Sequence, residues 1–329
     1  MTEPVRWGVI GAADFARREM APAIHMAENA VLAGLATSSP QKAAGFQAFN
    51  PDLKLYSDYD SLLASPDIDA VYIPLPNHLH VEWTLKALNA GKHVLTEKPI
   101  AMKADEIDSL IDARNRTGLV AAEAYMIVHH SQWKRAKSLY EQGAIGRLIH
   151  VNGHFSYDNA ADVDNVRNRP ETGGGGIPDI GVYTYGCTRW LTGQEPVQIT
   201  HADIDFENGV DVLARVSARF DGFTASWVNS IRMHAYQEMT FIGDKGVLRL
   251  STPFNAGSYG PALLEIHNSA KAGNGGEVVT ERFSAENQYV NQVEAFGRSV
   301  RLKDAYPWSL EDAKGTQAMI DSVFERAHQ

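Results

Sequence analysis

The sequence predicts two domains: an α/β domain on a doubly wound parallel sheet, then an α+β domain with a large open, mainly antiparallel sheet. Three observations predict this. Over the first 126 residues short apolar runs alternate with helical stretches, the pattern of a parallel sheet covered on both faces. Residues 148–251 hold long strand-like runs with few helical stretches between them. A Gly-led turn, Gly11-Ala12-Ala13-Asp14-Phe15-Ala16, separates the first strand from the first helix. A length of 329 residues fits two domains at about 150 residues each.

The elements follow in order. Val5–Gly11 is apolar and ends in Gly, so it reads as a buried strand. Ala13–Met26 has helical spacing. Val31–Thr37 is a second strand, with a helix from about Pro40. Ala70–Leu75 is a third strand. His78–Asn89 sets Val81, Leu85 and Leu88 on one helical face, and Gly91 stands where a helix C-terminal Gly belongs. His93–Thr96 is a strand, Ala104–Asn115 a helix and Val120–Met126 a strand. Beyond it, Leu148–Tyr157, Val197–Phe206, Val210–Phe220, Phe223–Ser230, Gln237–Ile242 and Gly246–Ser251 read as strands. Phe220-Asp-Gly-Phe223 is a hairpin turn signal. Asn287–Val300 and Leu310–Ala327 are helical. These readings place the domains at 1–124 and 125–329, with the last helix free to pack back on the first.

Composition narrows the function classes. Hydrophobic residues are 44% and charged residues 21%, ordinary globular values. A net charge of −10 argues against a nucleic-acid surface. Cys187 is alone, so no intramolecular disulfide and no C-x-x-C zinc site can form. No apolar stretch is long enough to span a membrane, and the opening residues lack a basic leader. The expectation is a cytoplasmic protein. Twelve histidines form no His-Glu-x-x-His, and no calcium loop or Gly-x-Ser-x-Gly elbow occurs, so neither a metal site nor a serine hydrolase is expected.

The turn after the first strand is a variant of G-x-G-x-x-G/A. Gly11 supplies the tight turn and Ala16 the small packing residue, while Ala13 replaces the second Gly. A helix N-terminus in that position faces a pyrophosphate, which makes Asp14 and Phe15 neighbours of a dinucleotide. An NAD site usually carries Asp or Glu at the end of the second strand. Here Ala36-Thr37-Ser38-Ser39 stands there, and no acidic residue occurs between Glu28 and Asp52. Thr37, Ser38 and Lys42, with Arg17 nearby, suit a 2′-phosphate, so NADP is expected ahead of NAD. Ser39-Pro40 equally suits a plain helix N-cap.

Further segments carry a resemblance. They are Leu75-Pro76-Asn77-His78-Leu79-His80, Gly91-Lys-His-Val-Leu-Thr-Glu97-Lys98-Pro99, Glu123-Ala-Tyr-Met126, Gly173-Gly-Gly-Gly-Ile-Pro-Asp179-Ile-Gly-Val-Tyr183 and Phe241-Ile-Gly-Asp-Lys-Gly246. In order and spacing the chain resembles the glucose–fructose oxidoreductase/inositol dehydrogenase (Gfo/Idh/MocA) family over nearly its whole length. Within it the chain is most similar to dihydrodiol and aldose (xylose-type) dehydrogenases. The resemblance implies a Rossmann domain, a C-terminal open sheet, a cleft between them, and homodimers or homotetramers formed through the sheet. It also implies a cis Lys98–Pro99 bond, cofactor contacts at Leu75, Pro76 and Asn77, and a nicotinamide-side carboxylate at Glu97. One departure stands out. The subgroup often has Arg two residues after the Met of its motif, where this chain has Val128, and this bears on the substrate rather than the reaction.

The chemistry agrees. Hydride transfer makes or consumes an alkoxide, so a proton donor–acceptor and a nearby cation are needed. Tyr183 and Lys98 suit these roles: a free Tyr titrates near about 10, and an ammonium beside it favours the phenolate. The resemblance assigns the same roles. Asp179, one turn before Tyr183 if the segment is helical, could hold Lys98 or a substrate hydroxyl. Asn165 and Arg167 are further candidates for substrate hydroxyls, and His80 for the cofactor side of the cleft. Trp133 and Cys187 read as core. The expected activity is NAD(P)-dependent dehydrogenation or reduction at a carbinol carbon of a sugar, polyol or cyclic diol. A redox-assisted glycosidase and a non-catalytic dinucleotide-binding regulator, both known in the family, are the alternatives.

Overall fold

Among the described residues, Val5–Ile10, Ala30–Ala36, Lys54–Tyr56, Ala70–Ile73, His93–Thr96 and Ala121–Glu123 form one parallel sheet. The computed structural model describes residues 3–268, 276–284 and 286–328. In sequence numbering the strand order is 3-2-1-4-5-6. The winding therefore reverses between the first and fourth strands, where doubly wound sheets take their ligands. Both faces are covered. Met20 and Ile24 join Val293, Phe296 and Val300 on one side. Ala87, Leu88, Ile107 and Leu110 cover the other.

The chain divides into two compact units, residues 1–129 with 287–314, and residues 130–286 with 315–329. The simple split at 124/125 is thus corrected. The helix Gln288–Leu302 returns to the first unit because its apolar face meets the parallel sheet, with Phe296 5.0 Å from Trp7 between ring centroids. Arg301 in this helix donates to Asp69 at 2.7 Å, and Arg6 donates to the same carboxylate at 2.7 Å. Burial raises the Asp69 carboxyl, but these hydrogen bonds outweigh it and hold it at about 2. The folded pKa lies below the ordinary 3.8, so this contribution is present above that pH and lost as pH falls towards 2. Asp69→Asn should lower stability at neutral pH by on the order of 2 kcal/mol. The gap to the unaltered protein should close on acidification, as denaturant titrations at a series of pH values would read.

The second unit is built on an eight-stranded sheet. From one edge its strands are Val278–Arg282, Leu263–Asn268, Gly246–Ser251, Arg232–Gly243, Leu148–Asp158, Thr224–Ser230, Val210–Arg219 and Gln198–Glu207. All pairs are antiparallel except Leu148–Asp158 with Thr224–Ser230. Trp133 and Tyr185, on the helices Ser131–Glu141 and Val182–Thr192, pack against Phe241 and Trp227. Trp133 and Cys187 are wholly buried, the core roles read from the sequence.

Several elements escaped the periodicity. Val182–Thr192 is buried on nearly every side, so no polar face marks it as a helix. Lys54–Tyr56 has three residues and a largely exposed edge, too short for an alternation signal. The helices Tyr59–Leu63 and Ser131–Glu141 and the outer strands Leu263–Asn268 and Val278–Arg282 were also not anticipated. The sixth strand stops at Glu123, and Met126–His129 forms a short 3-10 turn.

Candidate active site

In the first unit the site begins where the first strand ends. Gly11 has φ of +98°, and its N–H donates to the Ala36 carbonyl at 3.0 Å. A Cβ there would lie 2.8 Å from Leu75 Cδ2 and 3.4 Å from the Tyr59 hydroxyl. Glycine is therefore needed for both the turn and the close approach. Ala16 is wholly buried, while Ala13 and Phe15 are half-buried. The Asp14 carboxylate is exposed and accepts from Arg17 at 2.7 Å, with Arg18 also at 2.7 Å. These arginines hold it below the usual carboxylate range.

At the end of the second strand, Thr37 Oγ1 accepts from Ser39 N–H at 3.2 Å and Ser39 Oγ accepts from Lys42 N–H at 3.3 Å. The cap reading of Ser39-Pro40 is realised: the helix Pro40–Gln47 starts there. Ser38 and the Lys42 side chain remain on the exposed side of this cap. Arg17 crosses the same helix, since a Cβ on Gly45 would lie 2.5 Å from Arg17 Cδ.

The fourth strand runs into Leu75, Pro76 and Asn77, all half-buried, and a 3-10 turn over Asn77–Leu79. His80 follows, wholly buried. Its Nδ1 is 2.7 Å from the Pro99 carbonyl and its Nε2 2.7 Å from the Leu75 carbonyl. Both ring nitrogens are engaged, so the expected direct cofactor contact at His80 is corrected: the ring belongs to the scaffold of the turn. The fifth strand delivers Glu97 and Lys98. Tyr72 Oη donates to Glu97 Oε1 at 2.6 Å, and Lys98 N–H donates to Glu97 Oε2 at 3.2 Å. Lys98–Pro99 is cis, as the resemblance implied.

In the second unit Tyr183 is the second residue of the helix Val182–Thr192 and 7% exposed. Its ring lies 5.6 Å from Phe254 and 5.9 Å from Phe155. The turn before it, Ile177–Gly181, is a π turn that begins with Ile177 N–H donating to Asp211 Oδ2 at 2.6 Å. Burial pushes the Asp211 carboxyl up to about 7. Asp179 in this turn is 8% exposed. It accepts from Tyr157 Oη at 2.5 Å, and Arg167 Nε stands 2.8 Å from the same oxygen. The Asp179 carboxylate holds the Arg167 guanidinium in its charged form, and burial with that carboxylate pushes the Tyr157 phenol upward.

The glycine run explains how Arg167 is delivered. Gly174 N–H donates to the Arg169 carbonyl at 3.0 Å and Gly175 N–H to the Arg167 carbonyl at 2.9 Å. A Cβ on Gly174 would stand 2.6–2.7 Å from the carbonyl oxygens of Arg167, Arg169 and Val166. Asn165 also braces this turn: its Oδ1 accepts from Arg167 N–H at 3.1 Å and its Nδ2 donates to Asp162 at 2.9 Å. Tyr157 and Asp211 were missed. Tyr157 looks like any other member of its alternating strand, and Asp211 like a strand-start polar residue. Among the described residues no cluster of metal-ligating side chains occurs, and no helix is long and apolar enough to cross a membrane.

Residues 5–125 match the family described as "Oxidoreductase family, NAD-binding Rossmann fold". Residues 133–249 match the "GFO/IDH/MocA C-terminal domain". A dTDP-3,4-didehydro-2,6-dideoxy-alpha-D-glucose 3-reductase of Saccharopolyspora spinosa is 35% identical over 92% of this chain and 89% of its own. A D-xylose 1-dehydrogenase (NADP(+)) of Haloferax volcanii is 29% identical over 98% of this chain and 97% of its own. The crystal structure of a 3-ketoreductase from Actinomadura kijaniata, in complex with NADP and TDP-benzene, superposes with a TM-score of 0.89 at 26% identity, covering 98% of both chains.

Proposed function

The chain belongs to the oxidoreductase family that joins an NAD-binding Rossmann domain to a GFO/IDH/MocA C-terminal domain, and from this we propose that it is an NADP-dependent sugar oxidoreductase acting at a carbinol or carbonyl carbon. The observation that carries the substrate class is the Asp179–Arg167–Tyr157 cluster, whose Asp179 stands on the turn leading into Tyr183. A charged pair that can accept from and donate to hydroxyls, one turn before a proton-transfer group, suits a polyhydroxy substrate better than an apolar one.

Gly11, Ala13, Asp14, Phe15 and Ala16, with Leu75, Pro76, Asn77 and Glu97, would hold the dinucleotide. The close approach of Gly11 to Leu75 is the cradle that fits it. Thr37, Ser38 and Lys42 would take the 2′-phosphate, a reading supported by the absence of any acidic residue from 29 to 51. When bound, NADP supplies or accepts the hydride. Tyr183 Oη gives its proton to the carbonyl oxygen as that oxygen becomes an alcohol, and takes it back in the reverse direction. The Lys98 ammonium stabilises the negative charge that passes over these oxygens. Asp179 and Arg167 orient neighbouring hydroxyls, and Phe155 and Phe254 fix the Tyr183 ring. Homodimers or homotetramers formed through the C-terminal sheet belong to the same proposal, and analytical ultracentrifugation reads them.

The test is a fluorescence titration with NADPH and NADH, followed by aldoses, polyols, cyclic diols and dTDP-sugars assayed by nicotinamide absorbance. Turnover with one sugar class is expected. Net glycoside hydrolysis without accumulated reduced cofactor would instead identify the redox-assisted glycosidase, and binding without any turnover the regulator. Ser38→Asp should weaken NADPH by about 10-fold or more relative to NADH, because a carboxylate repels the 2′-phosphate and accepts from a 2′-hydroxyl. An unchanged NADPH/NADH ratio would remove this loop from cofactor choice.

A further inference from the structure

His80 and Glu123 each meet partners of only one kind. The His80 ring faces two backbone carbonyl oxygens, Pro99 and Leu75, each at 2.7 Å. Carbonyls only accept, so both ring nitrogens must carry a proton, which only the imidazolium provides. A neutral ring would set a nitrogen lone pair against a carbonyl lone pair. Glu123 is 2% exposed and faces two donors: Ile100 N–H reaches Oε1 at 2.9 Å and Trp308 Nε1–H reaches Oε2 at 2.9 Å. Neither donor can accept, so the carboxylate rather than the acid fits.

The two side chains grip one peptide unit from its two ends. His80 holds the Pro99 carbonyl, and Glu123 holds the Ile100 N–H. Residue 98 is the next along the chain, and its own N–H is held by Glu97. We propose that His80 as an imidazolium and Glu123 as a carboxylate hold the Pro99–Ile100 peptide from its two ends and so set the position of Lys98. Both are positioning residues, and their effect on turnover rests on the role proposed for Lys98.

Burial opposes each charge taken alone, pushing His80 down to about 4 and Glu123 up to about 7. Moving one proton from His80 to Glu123 leaves the pair's net charge unchanged. The neutral form escapes the desolvation of two buried charges, and against that stand the mutual attraction of the two charges and the four hydrogen bonds, whose partners all fit the charged form. The charged and titratable groups facing His80 are Lys98 and His78, and those facing Glu123 are Glu97, Lys98 and Tyr306. The Tyr125 ring stacks on Trp308 with centroids 4.0 Å apart, beside the Glu123 contact.

The experiment is nitrogen NMR on the full-length protein labelled in its histidine rings, with His80 assigned through His80→Asn. At neutral pH both His80 ring nitrogens should carry the signature of protonated nitrogen. One unprotonated ring nitrogen in the unaltered protein overturns the proposal, and this readout needs no variant beyond the assignment. Glu123→Gln removes the compensating charge, so the His80 ring should become neutral at the same pH. Turnover should fall about 10- to 100-fold through misplacement of Lys98, with NADPH affinity nearly unchanged and a shifted pH profile of kcat. A Glu123→Gln enzyme with the turnover and pH profile of the unaltered protein overturns the positioning role. Failure of the Lys98 assignment shows separately, as full turnover in Lys98→Met with the His80 signals unaltered.

Discussion

Tyr183→Phe should lower kcat by about 100- to 10,000-fold, the range expected when a positioned general acid–base is removed. The substitution deletes one oxygen and leaves the ring between Phe155 and Phe254, where it is nearly buried. Stability should therefore change little, and cofactor affinity should stay within about twofold, because Tyr183 lies outside the Gly11–Ala16 turn assigned to the dinucleotide. Steady-state kinetics with the preferred sugar, beside a fluorescence titration with NADPH, separate the two effects. A variant that binds NADPH normally and barely turns over fits Tyr183 as the group that moves the proton. A variant with near-normal kcat removes it from the mechanism and leaves the Asp179–Arg167 pair as the group to test next. The pH profile adds a second readout, since a limb that reports the Tyr183 proton should vanish with it.

Gly174→Ala should strongly destabilise the second unit. The new Cβ would stand 2.6–2.7 Å from three backbone carbonyl oxygens, those of Val166, Arg167 and Arg169. Backbone cannot swing aside as a side chain end can, so the loop must open. Opening breaks the hydrogen bonds from Gly174 to Arg169 and from Gly175 to Arg167 and releases Arg167 from Asp179. A loss of about 3 kcal/mol is expected from overpacking combined with broken hydrogen bonds. For a unit of this size that is a fall of roughly 6–12 °C in Tm. Calorimetry reads the loss, and KM for the sugar should rise as Asp179 loses its partner. A Tm within a degree or so of the unaltered protein would mean that the 165–176 segment yields without strain.

Much of the frame was readable before any coordinates. Gly11 is dictated by a local need, a left-handed backbone with no room for a side chain, and such needs leave a mark at one position. The inner strands of both sheets announce themselves by apolar runs or alternation, because one or both faces are buried, while the edge strand Lys54–Tyr56 and the outer strands Leu263–Asn268 and Val278–Arg282 do not. The same logic fails where burial is complete. Val182–Thr192 carries Tyr183, yet it has no polar face, so its helical period is invisible. Asp179 and Arg167 were legible as residue types beside a Gly run, but Tyr157, the third member of their cluster, was not. Nothing in its strand distinguishes an inward tyrosine that meets a carboxylate from one that packs.

The sequence by itself determined the fold class, most of the inner strands and the helices between them, the turn suited to a pyrophosphate, and Lys98 and Tyr183 as candidates for proton and charge. Tertiary structure decided which distant groups meet. Ile177 N–H finds Asp211, Glu123 finds Trp308, and Asp69 joins Arg6 to Arg301 across 232 residues. It also decided that His80, read from the sequence as a candidate for the cofactor side of the cleft, is wholly buried between two carbonyls. The physical reason is one of range. Periodicity and turn chemistry act over a few residues and are written along the chain. Desolvation and its compensation act between segments far apart in sequence, and only packing determines which polar group must answer which.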